Sequence, residues 1–248
     1  MDLFICIDDT DNLDSIGTGQ VLENLIAALR EQGLAECSFV TRHQLLIHPD
    51  IAYTSHNSSM CCSAVTDCLD EAAAFCSTYM DTHCAEGSDP GLCVVIPEQL
   101  GSAEPLLDFG RRAKTSVLSK TDAYELAAQC SGGILLSEHG GTGDGIIGAL
   151  AGCGLRMSGS DGRIKGKLRP DTAGEVLTVA DFCRKYHMDR VLDLERQPVP
   201  LEEQMVFRTQ SKALYWDFQK TVIAARDSED GGLWHPLSKM ELPKAWTN

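Results

Sequence analysis

Leu3-Phe4-Ile5-Cys6-Ile7-Asp8-Asp9-Thr10-Asp11 decides the fold class. A short apolar run stops abruptly at three carboxylates within four residues. Such a run reads as a buried strand with acids at its end. Outward from it, Val21, Leu22, Leu25, Ile26 and Leu29 share one helical face, so residues 18–32 read as a helix. Gly33 is its stop. Residues 37–47 read as a second strand closed by His48-Pro49, residues 50–59 as a polar loop, and residues 64–83 as a helix. Residues 92–96 read as another buried strand ended by Pro97.

The same reading continues to the end of the chain. Residues 103–130 carry helical patterning broken near 119–121, and residues 132–137 read as strand. A glycine-rich stretch then leads into a helix from about 145 to 155, and residues 162–168 alternate like a strand. Beyond 171 come a helix near 178–187 and strand-like pieces at 191–195, 203–209 and 213–225. Strands interleaved with helices predict an α/β or α+β fold, a mixed sheet with flanking helices. Residues 1–165 are expected to form one domain and residues 166–248 a smaller α+β lobe.

Composition narrows the function classes. The chain has 248 residues, 43% hydrophobic and 23% charged, which excludes disorder and coiled coil. No run of 18 apolar residues occurs, so no membrane span is expected. The N-terminus reaches acid too early for a secretory signal, so the expected compartment is the cytoplasm. Net charge is −15 and unevenly placed: residues 1–100 hold 16 Asp/Glu against only Arg30 and Arg42. That half repels phosphate backbones and disfavours non-specific nucleic-acid binding. It suits a cationic substrate, or Mg²⁺ carrying a phosphorylated one. The eleven cysteines show no C-x-x-C pair. They read as reduced thiols, many of them small core residues, and a structural zinc site is not expected. The adjacent Cys61 and Cys62 could not both face one way on a strand, so at least one should serve packing.

Five stretches can carry chemistry. Asp8, Asp9 and Asp11, with Asp14 behind, offer hard oxygen ligands for Mg²⁺ and a general base. The alternative is an Asx turn with Asp11 or Asn12 capping a helix. In Gly17-Thr18-Gly19, the glycines allow close backbone approach, and Thr18 either caps the helix or meets a phosphate. Tyr53-Thr54-Ser55-His56-Asn57-Ser58-Ser59 is either a phosphate- or sugar-binding loop or an ordinary polar turn. The stretch from His139 through Gly141, Gly143 and Gly145 to Gly148 is either an anion nest or a device for close helix packing. It is no Walker A loop, and Asp144 sits badly beside a pyrophosphate. Arg163, Lys165, Lys167 and Arg169, spaced by two, would share one strand face, to hold triphosphate oxygens or to guard a sheet edge.

Three segments together resemble the archaeal tRNA 2-agmatinylcytidine synthetases. Ile7-Asp8-Asp9-Thr10-Asp11 with Gly17-Thr18 is similar to that family's I-D-D-T-D-S segment and downstream threonine. His48-Pro49-Asp50-Ile51-Ala52-Tyr53, leading into residues 54–59, resembles its N-P-x-I-P-x-K-T-R-G-N-G segment. Gly145-Ile146-Ile147-Gly148-Ala149-Leu150-Ala151 resembles its R-G-I-I-G-A-L-A segment. The resemblance implies a kinase-like domain with a ferredoxin-like lobe, and phosphate activation of a cytidine followed by capture of agmatine. It implies that Asp8, Asp9 and Asp11 serve ATP and Mg²⁺, and that Thr18 carries a phosphoryl group. His56 stands where the family has arginine, Asn57 to Ser59 replace Gly-Asn-Gly, and Ser15 replaces a glycine. The length leaves no room for the family's OB fold and zinc ribbon.

These readings converge on a Mg·ATP-dependent phosphoryl-transfer or ligase-like enzyme acting on a smaller substrate, an amine among the options. Asp8, Asp9, Asp11 and Thr18 would do the chemistry. Gly17, Gly19, Ser55, His56, Asn57, Ser58, Gly141, Gly143, Gly145, Arg163 and Lys165 would hold the nucleotide. The competing readings are a nucleotide- or metabolite-binding module without turnover, and a tRNA-modifying enzyme with a separate RNA-binding partner. RNA is a disfavoured partner on charge grounds.

Overall fold

The computed structural model describes residues 1–53, 56–130, 132–226, 231–243 and 246. The chain divides into two compact units, Met1–Ser158 and Gly159–Asn248.

Unit 1 contains β1 (Asp2–Asp8), α1 (Thr18–Glu31), β2 (Glu36–Cys37), β3 (Thr41–Gln44), β4 (Ser58–Val65), α2 (Leu69–His83) and β5 (Gly91–Val95). A single 3₁₀ turn at Pro97–Gln99 leads to α3 (Glu104–Arg112), α4 (Lys120–Gln129), β6 (Ile134–Glu138) and α5 (Gly145–Met157). The strands order as β6-β5-β1-β4-β3, with β2 also on β4, and every pairing is antiparallel. Alternate strands therefore start and finish at one rim. Asp8 ends β1 there opposite Gly91, Ser58 begins β4 opposite Gln44, and Glu138 ends β6 opposite Gly91. In an antiparallel sheet, carboxyl and amino ends of strands both supply this rim.

Helices cover both faces of the sheet. Leu3, Ile5 and Ile7 of β1 pack with Val21, Leu22 and Leu25 of α1 and Cys76 and Met80 of α2. Cys6 packs on the opposite side with Ala149, Leu150 and Cys153 of α5 and with Leu106 and Phe109 of α3. A strand buried on both faces loses its polar alternation, which explains the unbroken run Leu3 to Ile7.

The same two-sided burial corrects the sequence reading of residues 58–68. The segment Ser58-Ser59-Met60-Cys61-Cys62-Ser63-Ala64-Val65 is β4, next to β1, not loop followed by helix. Cys61 and Cys62 are both completely buried, one in each core. Small serines and cysteines fill close quarters between sheet and helix, and they carry little strand signature. The second strand also differs, splitting into β2 and β3 around residues 38–40. The break near residue 119 is as expected: Ser119 accepts from the Asp122 amide and Asp122 accepts from the Ser119 amide, a capping box that starts α4.

Unit 2 contains β7 (Arg163–Ile164), β8 (Glu175–Thr178), α6 (Val179–Tyr186), β9 (Arg190–Leu192), β10 (Gln204–Phe207), β11 (Ala213–Trp216), β12 (Gln219–Arg226) and β13 (Trp234–Pro236). Its pairings are mixed: β12 runs parallel to β9 and antiparallel to β11 and β13, while β10 runs parallel to β13. α6 is its one helix among the described residues, where a β-α-β-β-α-β order carries two. Thr178 caps α6 by accepting from the Asp181 amide at 3.1 Å. Phe182 and Tyr186 meet Phe207 of β10 with ring centroids 5.5 and 5.3 Å apart.

The expected strand over 162–168 shrinks to two residues. Gly162 and Gly166 adopt φ of +116° and +109°, which strand geometry forbids. Arg163, Lys165, Lys167 and Arg169 therefore do not form a stripe along one strand face. Together, the strands and helices give the mixed sheet with flanking helices that the sequence predicts. No helix among the described residues is long and apolar enough to cross a membrane.

Candidate functional site

The rim of unit 1 gathers carboxylates from three segments. Asp8 is the last residue of β1, and its side chain faces α5. Burial pushes its carboxyl up to about 8, helped by the charges of Asp9 and Asp11; the Asp9 amide, donating to Asp8 Oδ1 at 2.9 Å, works the other way. Asp9 adopts a left-handed φ of +51°, a strained conformation that turns the chain sharply out of the strand. Its carboxyl is pushed up to about 6, first by burial, then by Asp89, Asp11 and Asp144. Five acids thus converge, their charges bearing on Asp8 and Asp9: these two and Asp11 from the end of β1 and the loop after it, Asp89 from the turn before β5, and Asp144 at the start of α5.

The loop between β1 and α1 is shaped by its own polar groups. The Thr18 hydroxyl donates to Asp11 Oδ1 at 2.7 Å, so the first residue of α1 orients the third acid of the motif. The α1 N-cap is Gly17 without a side-chain cap bond, so neither Thr18, Asp11 nor Asn12 is the cap. The Asx turn is at Asn12, whose Oδ1 accepts from the Asp14 amide at 3.0 Å. No acid occupies the first turn of α1; the carboxylate facing its partly positive N-terminus is Asp11, held there by the Thr18 hydroxyl. In the loop after β1, the Thr10 hydroxyl is buried without a hydrogen-bond partner.

The glycine-rich loop closes another side. Asp89 accepts from the Thr142 amide, and from the Thr142 hydroxyl at 3.0 Å. The Gly143 and Gly145 amides go to the carbonyls of Gly140 and Asp89, at 3.1 Å each. Much of the donor array that the sequence assigns to a phosphate is thus turned onto Asp89 and the loop itself. Close packing is plain at α5: a Cβ on Gly145 would lie 2.2 Å from the Asp89 carbonyl, and one on Gly148 1.6 Å from Asp8 Oδ2. Lys120 braces the loop from α4, donating to Glu138 at 3.1 Å and to the Thr142 carbonyl. His139, at the start of the loop, ties it to Asp81 of α2 at 2.6 Å and lies 2.8 Å from the Ser137 hydroxyl.

The polar loop before β4 divides. Asn57 donates to the Leu46 carbonyl at 2.6 Å, and Ser58 accepts from Arg42 Nε at 2.9 Å. Both hold the β3–β4 connection together at the rim. His56 is exposed, while Thr54 and Ser55 lie outside the described residues. Arg163 and Lys165 belong to unit 2, where burial lowers the affinity of the Arg163 guanidinium for its proton. Sequence reasoning missed Asp89, which pairing brings to the rim because β5 lies beside β1. Its only signal is an Asp-Pro-Gly turn just before an apolar strand.

Carboxylates from three segments, one of them at a helix N-terminus, fit a hard divalent cation with a phosphate chain. They do not fit a soft metal, since every donor there is oxygen.

No family model matches the chain. No curated protein sequence matches it either. Solved structures do. Apo TiaS, a tRNA agmatidine synthetase, superposes with a TM-score of 0.53 at 23% identity, over 62% of this chain and 35% of that one. A complex of TiaS with its tRNA and ATP gives 0.54 at 21% identity, over 82% of this chain and 50% of that one. A structure described as a tRNA fluorescent labeling enzyme gives 0.53 at 22% identity, over 76% and 45%. The chain thus spans between about a third and a half of the proteins it resembles, and what it shares with TiaS is the fold.

Proposed function

We propose that unit 1 is the nucleotide-binding, kinase-like part of a Mg·ATP-dependent phosphoryl-transfer or ligase-like enzyme. The observation that carries this reading is the convergence of five carboxylates at one rim, with Asp11 bonded to the first residue of α1 and the Asp8 and Asp9 carboxyls held far above their ordinary range. Likeness of fold to structures of TiaS with ATP supports it.

Asp8, Asp9 and Asp11 would hold Mg²⁺, with Asp89 and Asp144 adding to the negative field. The bound ion supplies positive charge that offsets charge developing on the transferred phosphoryl oxygens. The amides of Gly17, Thr18 and Gly19 at the start of α1 would receive the phosphates, and Gly141, Gly143 and Gly145 would frame the other side. Thr18, through its bond to Asp11, positions that carboxylate and is the residue proposed to carry a phosphoryl group. The acceptor would be a small molecule activated by phosphate and captured by an amine. The complexes of TiaS with tRNA support a second reading, in which a separate partner delivers RNA.

The test uses purified protein, Mg²⁺ and γ-labelled ATP, with and without tRNA and amines. Mg²⁺-dependent ATP binding that weakens at least tenfold in Asp9→Asn, with turnover, is the expected result. Binding without turnover under any condition would reduce the chain to a nucleotide-binding module, and no binding would remove the reading.

A further inference from the structure

A second cluster of chemistry lies on the α5 face of the sheet, built of sulfur. Cys6 of β1 pairs across the sheet with Cys61 of β4 on one side and Cys93 of β5 on the other. α5 lays Cys153 over this row, its Sγ 3.9 Å from the Phe4 carbonyl and 3.7 Å from the Cys93 carbonyl. The sulfurs of Cys6, Cys61 and Cys153 all lie within 4.8 Å of one another, and all three residues are completely buried.

Two further features mark this as more than packing. Ser59 lies two residues before Cys61 on the same strand face, and its hydroxyl is completely buried without a hydrogen-bond partner. A Cβ on Gly152 would lie 2.4 Å from both Cys6 Sγ and Ser59 Oγ, which places that hydroxyl beside the sulfurs. One helical turn beyond Cys153, Arg156 is buried at 2% exposure with its guanidinium 4.4 Å from the Phe39 ring. Its charge acts on Cys61. A buried cation this close can offset the charge of thiolates formed when a metal ion displaces their protons.

We propose that Cys6, Cys61 and Cys153 form a binding site for one soft monovalent cation of the Cu(I) class. Thiolate sulfur selects such ions, and hard cations take oxygen. Zinc sites are almost always four-coordinate, and this site supplies three sulfurs. Each thiol that ligates exchanges its S–H bond for a sulfur–metal bond and releases the proton to solvent, with no change of oxidation state. Three thiolates and one Cu(I) leave excess negative charge, which Arg156 offsets, and the Ser59 hydroxyl donates to a ligating sulfur. Because the three ligands come from distant positions, no spacing motif announces the site. It shares no ligand with the proposed Mg²⁺ site and does not depend on it.

The test is an anaerobic titration with Cu(I), against bicinchoninate as competing chelator, supplied to the native protein and during refolding. One Cu(I) per chain should survive a chelator concentration that strips Cys61→Ser and Cys153→Ser. Cys62→Ser and Cys76→Ser, whose thiols lie in the other core, should retain it. X-ray absorption at the copper edge of the wild-type protein should show a shell of three sulfurs, and it decides alone where a variant fails to fold. A wild type that retains no copper, retention unchanged in Cys61→Ser, or a shell containing nitrogen or oxygen would each overturn the proposal.

Discussion

Oδ2 of Asp8 sits where a side chain on Gly148 would begin: a Cβ there would lie 1.6 Å from it. The backbone of α5 is therefore seated directly against the first acid of the site. In an exposed helix, Gly→Ala stabilises by about 1 kcal/mol. Here Gly148→Ala should instead cost about 1–3 kcal/mol through overpacking, and lower Mg·ATP affinity by displacing Asp8. Urea unfolding and calorimetric titration check both effects, and a net stabilisation would show that α5 does not press on that carboxylate.

Stability should depend on pH with a definite sign. The Asp8 and Asp9 carboxyls are pushed up to about 8 and about 6 in the folded protein. Unfolded aspartate titrates near 4, so between about pH 4 and about pH 8 the folded state binds the extra protons. The metal-free protein should therefore lose stability as pH rises through that window. Mg²⁺ replaces those protons, so its affinity should rise over the same window. Thermal melts at about pH 5 and about pH 8, each with and without Mg²⁺, should show the loss and its reversal. A metal-free protein that gains stability across this window would contradict the electrostatics of the rim.

The bond from Thr18 to Asp11 separates positioning from packing. Thr18→Val keeps the shape and removes the donor, while Thr18→Ser keeps the donor. A hydrogen bond to a charged group is worth about 1.5–3 kcal/mol, so the valine variant should bind Mg·ATP roughly tenfold or more weakly. The serine variant should stay near wild type. Mass spectrometry after incubation with labelled ATP should find phosphate on residue 18 in wild type and none in the valine variant.

Asp89 does two jobs that one substitution can divide. Its carboxylate holds Thr142 and its charge raises Asp9. Asp89→Asn keeps an acceptor for the Thr142 amide and removes the charge. The Asp9 titration, followed by carboxyl NMR, should move downward from about 6 while the fold persists. An unmoved Asp9 would separate Asp89 from the acid cluster.

What could be read from the chain follows from how each signal arises. The strand at Leu3 to Ile7 and its acids were legible because an apolar run and a charge cluster are both local. The end of α1 at Gly33 was legible too: the glycine stands at φ of +67°, the turn the residue permits. β4 was hidden because Ser59, Cys61 and Cys62 fill two cores with small residues that carry little strand signature. The cationic stripe of 163–169 looked periodic, but the glycines at 162 and 166 turn the backbone away. Asp89 was hidden because its meaning lies in register: Gly91 pairs with Asp8, across more than eighty residues of chain. In the site, then, the loop after β1 announces itself, and the strand pairing that completes it does not.

The two-sided burial of the cysteines turns the chain into its own unfolding gauge. Cys6, Cys61, Cys62, Cys76, Cys93 and Cys153 are all completely shielded, and Cys37, Cys68, Cys84 and Cys183 are partly open. An alkylating reagent should reach the second group quickly and the first only when structure opens. Cys76 reports departure of α2 from one side, and Cys153 departure of α5 from the other. The order in which these thiols become reactive would therefore say which cladding leaves the sheet first, residue by residue, without any introduced label.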